Sequence, residues 1–136
     1  MKVAKRLGVW MDHASANLME YTTEDYKVVT VESDLEGLDN QEGLQHSENV
    51  LHNKENNSIA AFYKSLIEKI RDYDEIVLFG PTTAKTELYN LIREDHKYDQ
   101  IKIETKAADK MSYDDQHKFI HNYFTTLLNY DSDFNK

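Results

Sequence analysis

A chain of 136 residues, 40% hydrophobic and 30% charged, is long enough for one ordinary core and polar enough to be a soluble globular domain. It has no cysteine, which excludes disulfides, thiolate metal sites and cysteine nucleophiles, and no apolar run approaches the roughly 18 residues of a membrane helix. The net charge of −9 excludes a uniformly basic nucleic-acid surface, but it is concentrated: residues 31–60 hold seven acids and one lysine, leaving room for a local basic patch elsewhere.

The first third reads as strands. Leu7, Val9 and Met11 alternate with Gly8, Trp10 and Asp12, and Ala16 and Leu18 alternate with Asn17 and Met19. Tyr26 to Ser33 is rich in β-branched residues, and the polar breaks Asp12–Ser15 and Thr22–Asp25 are short enough for hairpins. These features predict a three-stranded antiparallel meander. Residues 34–57 hold Gly37, Gly43, several Asn and Gln, and most of the excess acid, with no sustained apolar period; they read as a long, mobile acidic loop. Ser58 is placed to cap a helix whose face is Ile59, Phe62, Tyr63, Leu66, Ile67, Ile70 and Tyr73. Glu75–Phe79 is a short apolar run, the mark of a strand covered on both faces.

Gly80-Pro81 stops that strand, and Thr82 or Thr83 opens a helix with the stripe Ala84, Leu88, Leu91 and Ile92. Ile101–Thr105 reads as another strand. Ser112 is placed to cap a last helix with the face Phe119, Ile120, Tyr123, Phe124, Leu127 and Leu128, fraying from Asp131 onward. The order β-β-β-α-β-α-β-α, with right-handed crossovers between the later strands, predicts an α/β fold. It is a three-layer, five-stranded mixed sheet of the ribonuclease-H-like type with helices on its faces, in one domain spanning 1–136.

Asp12 ends the first strand, where nucleases of that fold keep a metal-binding acid. Two-metal chemistry needs further carboxylates converging on the same point. The matching place at the end of the fourth strand holds Leu78, Phe79 and Gly80, so Asp12, with His13 beside it, reads foremost as a hairpin turn and only secondarily as a ligand site. His46 and His52 in the acidic loop match no regular metal spacing. His117 and His121 share a helix face, but Lys118 stands where a zinc hydrolase needs its glutamate, so they read as surface histidines. No serine has a nucleophile-elbow setting. No catalytic set, metal site or cofactor signature is complete.

The turn Gly80-Pro81-Thr82-Thr83-Ala84-Lys85 is the best ligand candidate. It lies at the carboxyl end of a predicted parallel strand and the N-terminus of a helix, where free N–H groups and the helix dipole favour an anion. Gly80, Pro81, Thr82, Thr83 and Lys85 are therefore the expected anion-binding residues, with a phosphate as the expected ligand. The turn lacks the second glycine and the ending of a Walker loop.

The same segment, Phe79 to Lys85 followed by Leu88, resembles the strand–Gly-Pro–helix segment in the middle domain of eukaryotic and archaeal peptide chain release factors and of Pelota, and in their bacterial single-domain relatives, some of them host-attachment proteins. Gly8-Val9-Trp10-Met11-Asp12 with Ala14–Leu18 is similar to the family's opening hairpin, and Ala107–Ser112 to a further family element. The resemblance implies the ribonuclease-H-like fold and a link to the ribosome. It does not imply peptide release: the long connection at 34–57 contains Gln41-Glu42-Gly43 where release factors carry Gly-Gly-Gln. The expected function is a non-catalytic binding module associated with ribosomes or translation factors, in the cytoplasm, with at most local RNA contact, no membrane and homo-oligomerisation open. The alternative is a small phosphoryl-directed enzyme or nucleotide binder using Asp12 and the Gly80–Lys85 turn.

Overall fold

The computed structural model describes residues 4–22, 25–33 and 48–134, with the backbone alone at 48–58 and 130–134. Three strands open the chain: β1 (Arg6–Met11), β2 (Ser15–Glu20) and β3 (Val29–Glu32). Helix α1 (Glu48–Ile70), strand β4 (Glu75–Gly80), helix α2 (Ala84–Arg93), a 3-10 turn (His96–Tyr98), strand β5 (Lys102–Ala107) and helix α3 (Tyr113–Phe134) follow. The sheet order is β3-β2-β1-β4-β5. β1 pairs antiparallel with β2 and parallel with β4, and β4 runs parallel to β5. This is the expected five-stranded mixed α/β sheet with helices on its faces.

Period-2 alternation decides which layer each central residue enters. Leu7, Val9 and Met11 of β1, with Ile76 and Leu78 of β4, face one way. They meet Phe62, Tyr63, Leu66 and Ile70 of α1 and Ala84, Leu88 and Ile92 of α2. Trp10, Val77 and Phe79 face the other way, against Ile120 and Phe124 of α3. Gly8 faces that side too. A Cβ there would lie 2.1 Å from Ile120 Cγ1, so the missing side chain lets α3 sit directly on the β1 backbone.

The polar Asn17 and Gln116 are buried between the β2 end of the sheet and α3. Asn17 donates to Gln116 (3.1 Å) and accepts from the Thr30 hydroxyl, while Gln116 donates to the Met111 carbonyl. That network ties the start of α3 to β2 and β3.

Several boundaries differ from expectation. β3 starts at Val29 rather than Tyr26, because Tyr26 and Val28 turn onto the α3 layer, where the Tyr26 hydroxyl donates to Asp114. Helix α1 starts at Glu48, so Ser58 lies inside it and residues 48–57 are not loop. No Gly or Pro occurs between Gly43 and Gly80, and a helix nucleated by the Phe62–Ile70 face propagates through such a stretch at little cost per residue. The rest of the expected mobile loop, 34–47, lies outside the described residues. Leu91 is 37% exposed and leaves the buried stripe of α2 to Ala84, Leu88 and Ile92. Ile101 is buried just ahead of β5 rather than within it. Ser112 does cap α3, its Oγ accepting from Asp115 N–H at 3.1 Å, and the helix runs to Phe134; residues 135–136 of the end expected to fray lie outside the described residues.

Candidate functional site

β1 and β4 end side by side at the carboxyl edge of the sheet, and the candidate residues gather there. Gly80 closes β4 with φ of 156°, and a Cβ on it would lie 2.0 Å from the Met11 carbonyl oxygen. Only glycine allows the two strand ends to approach so closely. Its own carbonyl accepts from Ala108 N–H at 3.1 Å, which brings the segment after β5 to the same edge. The Trp10 indole donates to the Asp109 carbonyl at 3.3 Å and fixes that segment.

The turn that follows makes several internal bonds. The Thr82 hydroxyl accepts from Ala84 N–H at 3.2 Å. The Lys85 ammonium folds back and donates to the Thr82 carbonyl. Thr83 stands at the N-cap position with helical dihedrals and makes no side-chain cap bond. Its hydroxyl donates instead to Glu87 Oε2 at 2.8 Å. Pro81 and Thr83 are exposed; Thr82 and Lys85 are half-buried.

Glu87 is the residue the sequence reading missed. His13 Nε2, from the β1–β2 turn, lies 3.1 Å from Glu87 Oε2, and the Tyr63 hydroxyl of α1 donates to Oε1 at 2.8 Å. One carboxylate therefore joins the hairpin, α1 and α2. Partial burial works to raise its pKa; the bonds from His13, Tyr63 and Thr83 together outweigh it and hold the carboxyl below the ordinary range. Burial, and then the bond to Glu87, push the Tyr63 phenol well above its usual range. The only local signal for Glu87 was its four-residue spacing from Thr83; His13 is 74 residues away in sequence.

Asp12 and His13 are brought to the same edge but do not form a metal site. Asp12 Oδ1 accepts from Ala14 and Ser15 N–H at 2.8 and 2.9 Å, so the carboxylate closes its own turn. Among the described residues no group of three or more His, Asp or Glu is placed to hold a metal ion. Thr83 and His13 both address the same carboxylate oxygen, an arrangement that fixes the turn rather than activating a hydroxyl.

The other histidines fall elsewhere. His117 and His121 are half-buried: His117 stacks on Tyr26 (4.5 Å between centroids) with its Nε2 buried and without a hydrogen bond, and His121 lies 5.6 Å from the Tyr21 ring. Burial, then neighbouring His121, depress the His117 pKa against the pull of Asp114. His46 lies outside the described residues. The opposite end of the sheet holds a cleft of about 640 Å³ lined by Leu7, Leu18, Glu20, Lys27, Lys69 and Tyr73, away from every predicted site residue. Among the described residues no helix is long and apolar enough to cross a membrane.

No family model and no curated protein matches this sequence. Among solved structures, Pelota from Thermoplasma acidophilum is similar in fold, with a TM-score of 0.56 and 17% identity over 87% of this chain. Pelota from Archaeoglobus fulgidus (TM-score 0.49, 8% identity) and the archaeal translation termination factor aRF1 (0.48, 10%) are more distant, covering 80% and 96% of this chain. The chain spans 32%, 28% and 42% of the three proteins respectively, so it corresponds to a part of each. At such identities the likeness is one of fold. In fold the chain resembles Pelota over most of its length, in line with the expectation from the Gly80–Lys85 segment and the opening hairpin.

Proposed function

We propose that this chain is a non-catalytic binding module of translation, associating with the ribosome or with a translation factor in the cytoplasm. The observation that carries the reading is the fold likeness to Thermoplasma Pelota across 87% of the chain. The local chemistry supports a non-catalytic role: Asp12 closes its own turn and Thr83 is bonded to Glu87, so among the described residues the edge offers no assembled acid, base and nucleophile. The four glycines are Gly8, Gly37, Gly43 and Gly80, so no Gly-Gly-Gln tripeptide is present for peptide release.

The Gly80–Lys85 turn is the proposed point of contact with a phosphate. Lys85 supplies the cation there once it swings off the Thr82 carbonyl, and Thr83 is exposed in the same turn. The nearby Glu87 carboxylate and the acidic whole keep such a contact weak and salt-sensitive. Co-sedimentation with ribosomes at low and high salt tests the reading. The wild-type chain is expected in the ribosomal pellet at low salt and largely released at high salt, with Thr83→Ala/Lys85→Ala weakening the association. A chain that stays in the supernatant at low salt overturns the proposal; equal binding by the double variant removes the turn from it.

A further inference from the structure

β5 is the last strand of the sheet, and its outer edge is unpaired among the described residues. Its register with β4 runs without a bulge from Glu75↔Lys102 to Gly80↔Ala107. Lys102 N–H donates to the Asp74 carbonyl at 3.0 Å and Ala108 N–H to the Gly80 carbonyl at 3.1 Å, so the even-numbered backbone groups face β4. Successive residues of a strand point their N–H and C=O to opposite sides. Ile103, Thr105 and Ala107 therefore aim theirs outward, off the edge of the sheet.

Edge strands are commonly blunted by charge, and β5 carries Lys102, Glu104 and Lys106 in alternation, all exposed. Their signs alternate too, which makes the strand complementary to itself in one register and repulsive in another. With the two-fold axis at Glu104, an antiparallel copy places Glu104 opposite Glu104 and Lys102 opposite Lys106. With the axis at Thr105, Glu104 faces Lys106 of the second copy on both sides of the axis, Ile103 faces Ala107, and the outward N–H and C=O groups of all three odd residues meet. An axis at Ile103 also pairs opposite charges but runs off the start of the strand and leaves Ala107 unmatched.

The Thr105 register has a second point in its favour. Thr105 and the Ile103–Ala107 pairs exchange backbone hydrogen bonds there, so Glu104 and Lys106 fall at the non-hydrogen-bonded positions, where cross-strand side chains come closest. Glu104 is already held in place by the Tyr123 hydroxyl and lies 3.1 Å from its own Lys106. Two copies thus bring together a ring of four alternating charges around the axis.

We propose that β5 pairs antiparallel with β5 of a second copy of this chain about a two-fold axis at Thr105, joining two sheets into one. The opposite edge fits less well: β3 is only four residues long.

Sedimentation velocity of the full chain over a concentration series tests this. The wild type is expected to shift from monomer to dimer as concentration rises. Thr105→Pro removes an outward N–H and no bond to β4, so it is expected to keep its circular dichroism spectrum and remain monomeric. Glu104→Lys and Lys106→Glu each place like charges across the axis and are expected to weaken the dimer about tenfold or more, with the double reversal Glu104→Lys/Lys106→Glu restoring it. The charge pair decides the matter even if the proline variant misfolds. A wild type that stays monomeric throughout, a folded Thr105→Pro that dimerises like wild type, or a double reversal no better than either single variant overturns the proposal.

Discussion

Glu87 illustrates how a solvent-facing acid becomes structural through its partners. Three side chains from three elements converge on it, and their combined effect on its pKa exceeds that of burial. The consequence for stability has a definite sign. A carboxyl held below its ordinary value of 4.5 stabilises the fold above that value, and the contribution is lost as pH falls through the folded pKa. Glu104, held low by the Tyr123 hydroxyl and by Lys106 against partial burial, adds a contribution of the same sign. Thermal unfolding of wild type and Glu87→Gln across this acid range is therefore expected to show a gap in melting temperature near neutrality that closes as pH drops below 4.5. A gap of constant size would mean that the carboxylate charge plays no part.

At the scale of elements, α2 separates an apolar residue that packs from one that merely fits the pattern. Leu88 is fully buried between the sheet and α1, whereas Leu91 is 37% exposed on the rim. Leu88→Ala is expected to cost about 2–5 kcal/mol through lost transfer and the cavity left behind. Leu91→Ala should stay within about 0.5 kcal/mol, as surface substitutions usually do. Chemical denaturation of both variants gives the comparison, and similar losses would mean that Leu91 is covered in solution. On the other face, α3 is seated by an absence: Gly8 leaves the space that Ile120 fills.

Over the whole molecule, the sheet's two ends carry different chemistry. The carboxyl edge collects Asp12, His13, Gly80–Lys85 and Glu87, bound mainly to one another, while a cleft of about 640 Å³ lies at the other end. The carboxyl end of β4 holds Leu78, Phe79 and Gly80, all buried, where a two-metal nuclease would need a second acid. Incubation with RNA, DNA or a hybrid in the presence of magnesium or manganese is expected to yield no cleavage above background. Metal-dependent cleavage that disappears in Asp12→Asn would reverse this reading of the edge.

Local pattern alone was enough for most of the architecture. The alternation in Leu7–Met11 and the helical face Phe62–Ile70 each state a period, and the apolar run Glu75–Phe79 is β-branched and short enough to be a buried strand rather than a helix. With the order of strands and helices, that determined a mixed α/β sheet, and Gly80-Pro81 marked the strand stop and the helix start after it. Boundaries were less legible where propensity is neutral. Nothing in 48–57 demands a helix, and α1 runs through it because the face beyond has already met the cost of nucleation. The site was decided by tertiary structure. Thr83 and Lys85 were identifiable as donors at a helix start, but their actual partners, Glu87 and the Thr82 carbonyl, depend on how the turn closes. The meeting of His13, Tyr63 and Glu87 required three elements to pack around two adjacent strand ends, a proximity that no spacing along the chain encodes.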